Sequence, residues 1–223
     1  MLHYWEWIRN NINPQETIID LGYGDGNTWK MGKDGRHDLK PDNLPEYKVI
    51  GVEFNKILAS HPIINDDLCK FIKKHNGHYD VAVMSHVLEH VACPTQLVLW
   101  ALFHAKRSIV VVPLGEDRDL MEKGDEMALN NPWIKYIEFY PDSICPHNAH
   151  IRVFYDTSDV YAILPPQADI IDETIQITAE GVRWYGAILR LNRKVLDIIS
   201  NFKVPEKSYE KLLDAMYMKT VMG

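Results

Sequence analysis

Three groups of residues in this chain are of types and at spacings that could do chemistry. The first is Asp20-Leu21-Gly22-Tyr23-Gly24-Asp25-Gly26, which follows the apolar run Thr17-Ile18-Ile19. An acid running into alternating glycines lets the main chain turn sharply and approach a ligand with no Cβ in the way. Amides at the start of a helix behind the turn would face the same ligand. The dinucleotide spacing G-x-G-x-x-G needs a third glycine at position 27, and Asn27 stands there, so the match is to G-x-G-x-G. The second group is acidic: Glu53 closes the run Val49-Ile50-Gly51-Val52, and Asp67 follows Asn65-Asp66. The third is rich in histidine, with His86, Glu89 and His90 in one string and His147 and His150 in another. An imidazole titrates near neutral pH, so His86, His90 and His150 are candidate general bases.

These groups need elements to position them. Leu2, Trp5, Ile8 and Ile12 trace one face of an N-terminal helix over about 1–13, which Asn13-Pro14 ends. Short apolar runs at Thr17 to Leu21, Val49 to Glu53, Pro62 to Asn65 and Tyr79 to Ser85 predict strands, and Ser108 to Pro113 is the clearest of them. Its unbroken β-branched character implies burial on both faces, as in the middle of a parallel sheet covered by helices. Thr95 to Lys106 has helical spacing, with Leu97, Val98, Ala101, Leu102 and Ala105 on one face. Two later strands, about 169–178 and 183–191, form a hairpin-like pair around Glu180-Gly181, and 206–218 reads as a last amphipathic helix. Strands alternating with helices predict an α/β, doubly wound, Rossmann-like fold. A helix beginning at Ser85 would put His86 and His90 on one face beside Glu89.

With 223 residues the chain fits one domain, here taken as 1–223. A hydrophobic fraction of 46% beside 25% charged residues is enough to bury a continuous core. The net charge of -7 argues against nucleic acid and anionic membranes as partners and towards a small molecule. No apolar run approaches the ~20 residues that span a bilayer, and the N-terminus lacks a signal-peptide pattern. Cys69, Cys93 and Cys145 are odd in number and form no C-x-x-C, which predicts reduced thiols and a cytoplasmic setting.

Taken in order, the motifs resemble the class I S-adenosylmethionine-dependent methyltransferases, from about residue 15 to residue 192. Ile18 to Gly26 is similar to their first motif, Glu53 to their second-strand acid and Asp67 to the Asp near the adenine. The string from Tyr79 through Ser85-His86-Val87-Leu88-Glu89-His90-Val91 is similar to their aromatic-Asp strand with its Val-Leu-Glu-His-Val. The resemblance implies a sheet of about seven strands, mostly parallel with an antiparallel last strand and helices on both faces. It implies S-adenosylmethionine as cofactor, held by Asp20, Gly22, Tyr23, Gly24, Gly26, Glu53, Phe54, Asp67, Leu68, Ser85 and His86. In that role Glu53 would accept hydrogen bonds from both ribose hydroxyls, and Leu68 would offer apolar contact to the ring. A small-molecule acceptor follows, with O-methylation by a histidine base one expectation; oxygen, nitrogen and carbon all stay open as the acceptor atom.

Cys145 to Phe154 looks like the His-x-Arg-x-Phe stretch that many small-molecule methyltransferases place before a short helix, and makes His150 the first choice for substrate contact. The small-RNA 2′-O-methyltransferases suggest another reading, in which Glu89, His90 and His150 ligate a metal and His86 replaces the first glutamate. A dinucleotide oxidoreductase and a non-catalytic nucleotide-binding module are the remaining alternatives. The chain departs from the family at 32–46, where glycines and prolines interrupt the usual helix. The segment 115–150, with Trp133, Tyr136, Phe139 and Tyr140, is expected on the substrate side. Tyr4, Trp5, Trp7 and Trp29 would either cap the site or anchor the N-terminal helix.

Overall fold

In a computed structural model the described residues are 3–24, 26–30, 47–53, 63–115, 152, 154–178, 181, 183–192, 194–195 and 197. Phe54, Cys145, His147, His150, the 32–46 departure, the aromatic segment beyond Gly115 and the expected helix at 206–218 lie outside them. Seven strands among the described residues form one sheet in the order β3-β2-β1-β4-β5-β7-β6. They are β1 (Thr17–Leu21), β2 (Lys48–Glu53), β3 (Ile63–Asn65), β4 (Tyr79–Ser85), β5 (Ala105–Leu114), β6 (Ala168–Ile177) and β7 (Arg183–Leu191). β1 to β5 pair in parallel, and β7 runs antiparallel to both β5 and β6. The last strand is therefore the reversed one, as expected, and the hairpin between β6 and β7 turns at Gly181.

Strand periodicity divides the core in two. Ile19, Ala82, Met84, Val110 and Val112 point to one face, which α3 (Leu68–Phe71), α4 (Pro94–His104) and α5 (Thr157–Ile163) cover. Ile18, Val81, Val83, Ile109 and Val111 point to the other, beneath α1 (Tyr4–Asn10) and beside α2 (Asn27–Lys30). Trp5 and Trp7 are buried and anchor α1, and the fully buried Ile8 adds about 2 kcal/mol by leaving water. Both β4 and β5 are covered on two faces, which accounts for their near-continuous apolar sequence.

Three expectations need correction. No helix begins at Ser85: residues after β4 form a turn, closed by His90 N–H donating to the Val87 carbonyl at 3.0 Å, and α4 starts only at Pro94. The fixed φ of Pro94 suits the first turn of a helix, so the start moves to the proline. Next, β5 begins at Ala105, directly after α4, because Lys106 and Arg107 pair with acids at the sheet rim and extend the strand. Lastly, Cys69 and Cys93 are joined by a disulfide, with their Cα atoms 5.9 Å apart. The fold brings the first turn of α3 against the residue before α4, a proximity that residue spacing does not reveal. The expectation of a reducing setting thereby loses its cysteine argument.

Candidate active site

The carboxyl ends of β1 and β2 build one half of the site. Gly22 and Tyr23 both donate their N–H to the Val52 carbonyl, at 2.9 and 3.1 Å, so the turn is laced to β2. Gly22 sits at φ 92, and a Cβ there would lie 2.6 Å from Val87 Cγ2. Gly24, at φ 57, would put a Cβ into open space, and its N–H donates to Glu53 Oε2 at 2.7 Å. Glu53 therefore faces the turn rather than solvent.

Asp20 is buried on the face that carries Ile18. Its Oδ2 accepts from Trp29 Nε1 at 2.6 Å, and its Oδ1 has no hydrogen-bond partner among the described residues. Burial pushes this carboxyl up to about 7; the Trp29 bond opposes the rise and the charge of Glu53 adds to it. Trp29, expected either to cap the site or to anchor the N-terminal helix, thus bonds the acid that opens the glycine turn.

Asp67 and Leu68 lie past the end of β3, which is latched to β2 through Asn65 Nδ2 and Asp66 N–H, both donating to the Glu53 carbonyl. Asp67 is buried and caps α3, its Oδ1 accepting from Lys70 N–H at 2.9 Å. One of its oxygens is therefore engaged in a local structural role, and Leu68 beside it is buried.

The other half lies at the carboxyl ends of β4 and β5. Ser85 is the last residue of β4, and its Oγ is buried without a hydrogen-bond partner among the described residues. His86 adopts φ 51 and its N–H donates to the Val111 carbonyl at 2.9 Å. A non-glycine residue in this region costs about 1–3 kcal/mol, and persists only where its surroundings over-determine it. The His86 ring meets Tyr4 edge-on, with centroids 4.6 Å apart. Its Nδ1 stands 3.5 Å from Glu89 Oε1, a contact longer than a well-formed hydrogen bond, while Nε2 is buried without a partner among the described residues.

His90 Nε2 approaches the same Glu89 oxygen at 3.9 Å. The two histidines flank Glu89 across a turn instead of sharing a helix face. Glu89 is fully buried; desolvation raises its pKa, but His86 and then His90 more than offset this and hold it below the ordinary carboxylate range. Arg152, the arginine of the His-x-Arg-x-Phe stretch, reaches this turn from far along the chain. Among the described residues no cluster of three metal-ligating side chains occurs, and the ligand set Glu89, His90 and His150 is incomplete there because His150 lies outside them.

The two halves fit a nucleoside-bearing group. Polar atoms with no hydrogen-bond partner among the described residues, Asp20 Oδ1, Ser85 Oγ and His86 Nε2, occur at the carboxyl ends of adjacent parallel strands, where open α/β sheets take their ligands. Gly24 leaves open space in front of the turn. A sheet of this topology with a glycine turn and an acid on the next strand defines a Rossmann-like protein of the methyltransferase class. The family model described as a methyltransferase domain matches residues 5–162, and the chain belongs to that family.

Among solved structures the chain is similar to the N-terminal domain of EvdMO1 with SAH bound, at 14% identity over 86% of this chain and 82% of that one, TM-score 0.47. It is also similar to magnesium protoporphyrin IX methyltransferase from Synechocystis PCC 6803 with bound SAH, at 15% over 84% and 80%, TM-score 0.49. A Rhodobacter sphaeroides protein described as a Zn-dependent alcohol dehydrogenase matches at 13% over 84% and 88%, TM-score 0.50. At such identities likeness speaks to the fold alone. No curated protein matches the chain. No helix among the described residues is long and apolar enough to cross a membrane.

Proposed function

We propose that this chain transfers the methyl group of S-adenosylmethionine to a small-molecule acceptor. The observation that carries the reading is the hydrogen bond from Gly24 N–H to Glu53 Oε2, which brings turn and acid together. The Glu53 carboxylate stands at the turn, where it would meet the ribose hydroxyls; Gly22, Tyr23, Gly24 and Gly26 would give the backbone edge, and Asp67 and Leu68 would lie towards the adenine. Asp20, Ser85 and His86 border the end where transfer would occur. The bound cofactor supplies an already activated methyl on a sulfonium, so the chain's task is alignment and, where the acceptor carries one, removal of a proton.

His86 is the base this geometry favours. A proton held on Nδ1 towards Glu89 leaves the Nε2 lone pair free to accept one from an acceptor hydroxyl. His90, with its ring on the same carboxylate, is the second candidate, and His150 remains the candidate for acceptor contact. The net charge of -7 supports a small molecule over nucleic acid.

Calorimetry tests the reading. S-adenosylhomocysteine is expected to bind, NAD is not, and Glu53→Ala is expected to weaken the former by about tenfold or more, as the loss of a charge-assisted pair of hydrogen bonds should. Tight NAD binding in place of S-adenosylhomocysteine would overturn it. A chelator titration on the same protein decides whether a metal takes part.

A further inference from the structure

The turn that carries His86 and Glu89 contains little internal support. Its carbonyls at Leu88, Glu89 and Val91 belong to buried residues, and buried carbonyls need donors. Among the described residues Arg152 supplies them. Arg152 Nη1 donates to the Leu88 carbonyl at 2.8 Å and to the Val91 carbonyl at 3.2 Å, and the Arg152 N–H donates to the Glu89 carbonyl at 3.2 Å.

Arg152 is itself fixed from behind. Gly115 N–H, just past the end of β5, donates to the carbonyls of Phe154 at 3.0 Å and Tyr155 at 3.2 Å, and Phe154 is fully buried. The strap around Arg152 is thus tied to the same sheet edge as the turn it grips. On the near side, His86 at φ 51 is held by the Val111 carbonyl. Between these two attachments lies the buried Glu89 carboxylate; burial lowers the pKa of Arg152, and the Glu89 charge opposes that shift.

We infer that Arg152 is a positioning residue for methyl transfer: it clamps the Leu88 to Val91 turn so that Glu89 stays against His86 Nδ1 and fixes the ring with Nε2 towards the acceptor. Both carbonyls are met by the one Nη1 nitrogen, and the planar guanidinium fixes the direction of its hydrogens in a way that a freely rotating ammonium does not. The catalytic significance rests on the proposed role of His86, but the clamp itself can be read without an acceptor.

Full-length protein with ring-15N histidine is compared as wild type, Arg152→Met and Arg152→Lys by long-range 15N NMR at about pH 8, where an imidazole of ordinary basicity is neutral. His86→Gln assigns the signals, circular dichroism checks folding, and S-adenosylhomocysteine binding is measured on each sample. In wild type the two His86 ring nitrogens are expected well separated, with the proton on Nδ1. In Arg152→Met the separation collapses and millimolar guanidinium restores it, while Arg152→Lys collapses it part of the way. Cofactor-product affinity should change by less than about threefold, because Glu53 and the glycine turn lie outside the clamp.

A folded Arg152→Met that keeps the wild-type His86 pattern overturns the inference, as does a collapse that guanidinium leaves uncorrected. Should Arg152→Met fail to fold, Arg152→Lys carries the same comparison, and an unchanged pattern there is equally fatal. Failure of wild type to bind S-adenosylhomocysteine would defeat the functional proposal instead, leaving the clamp to be judged by the His86 signals.

Discussion

The two ends of the sheet treat polar groups in opposite ways. At the amino ends of β1, β4 and β5, charges close on each other. Thr17 N–H and Oγ1 both donate to Asp80 Oδ2 at 2.8 Å, and Lys106 Nζ lies 2.7 Å from Asp80 Oδ1. Arg107 grips Glu16 through two nitrogens at 2.6 and 2.7 Å and the Asn11 carbonyl at 2.8 Å. At the carboxyl ends, Asp20 Oδ1, Ser85 Oγ, His86 Nε2 and both Glu89 oxygens are buried without a hydrogen-bond partner among the described residues. Each such atom costs roughly 1–3 kcal/mol relative to a satisfied one. One rim closes its polar groups on each other, and the other leaves buried polar atoms unmatched, as the proposed cofactor site requires.

The largest break of this contrast should come from Asp20. Its folded pKa of about 7 stands above the ordinary 3.8, so the native state keeps a proton that the unfolded chain releases. Stability from this group is fully present below about pH 4 and is lost as pH rises towards 7, by an amount on the order of 4 kcal/mol. Asp20→Asn, which still offers Trp29 an acceptor, should remove that slope, so the variant outlasts wild type in urea at pH 8 while binding S-adenosylhomocysteine more weakly. Parallel stability profiles of the two proteins across this range would refute the picture of a strained carboxyl rim.

The Cys69–Cys93 bridge is a covalent tie just beyond that same rim, 24 residues apart in sequence. Closing a loop of this size limits the unfolded chain and contributes about 3 kcal/mol. Reduction by a dithiol should lower the denaturation midpoint accordingly, and Cys93→Ser should become insensitive to reductant. Next in size, Gly22→Ala forces an alanine into φ 92 and a methyl against Val87, at a cost of about 2 kcal/mol. Its expected signature is lost S-adenosylhomocysteine binding, because the glycine turn itself must shift; a variant that binds normally would show that the cofactor does not rest on this turn.

Much of the open rim was legible beforehand because its signals are local. A glycine at every second position, an acid closing Val49 to Val52 and the Tyr79 to Val91 string each report on main-chain geometry that neighbouring residues dictate. The strands followed from unbroken β-branched runs, down to the reversed β7. What escaped were pairings made by the fold. Trp29 reaches Asp20 across the glycine turn, Arg152 reaches Leu88 over 64 residues, and Cys69 meets Cys93. Helical spacing of His86 and His90 also misled, because Pro94 and the backbone bond of His86 to Val111 favour a turn over a helix that begins at Ser85. Asp67 shows the converse, an acid expected at a ligand whose carboxylate also caps a helix.

The smallest effect belongs to the closed rim and carries the opposite sign. Lys106, then the bonds from Thr17, hold the Asp80 carboxyl at about 2 against an ordinary 3.8. Stability from this group is present above about pH 4 and lost as pH falls towards 2. Asp80 is partly open to solvent, so screening trims its contribution to about 1 kcal/mol. Asp80→Asn should therefore lose roughly that much at pH 7, show a flatter acid limb than wild type, and leave S-adenosylhomocysteine affinity untouched. Because the Lys106 pair is exposed, the loss should also shrink in high salt. Urea titrations of Asp20→Asn and Asp80→Asn at pH 3, 5 and 8 set the rims against each other: relative to wild type, the first should gain with rising pH and the second should fall behind. If both variants drift in the same direction, the division between a closed amino rim and a carboxyl rim kept open for a ligand does not hold.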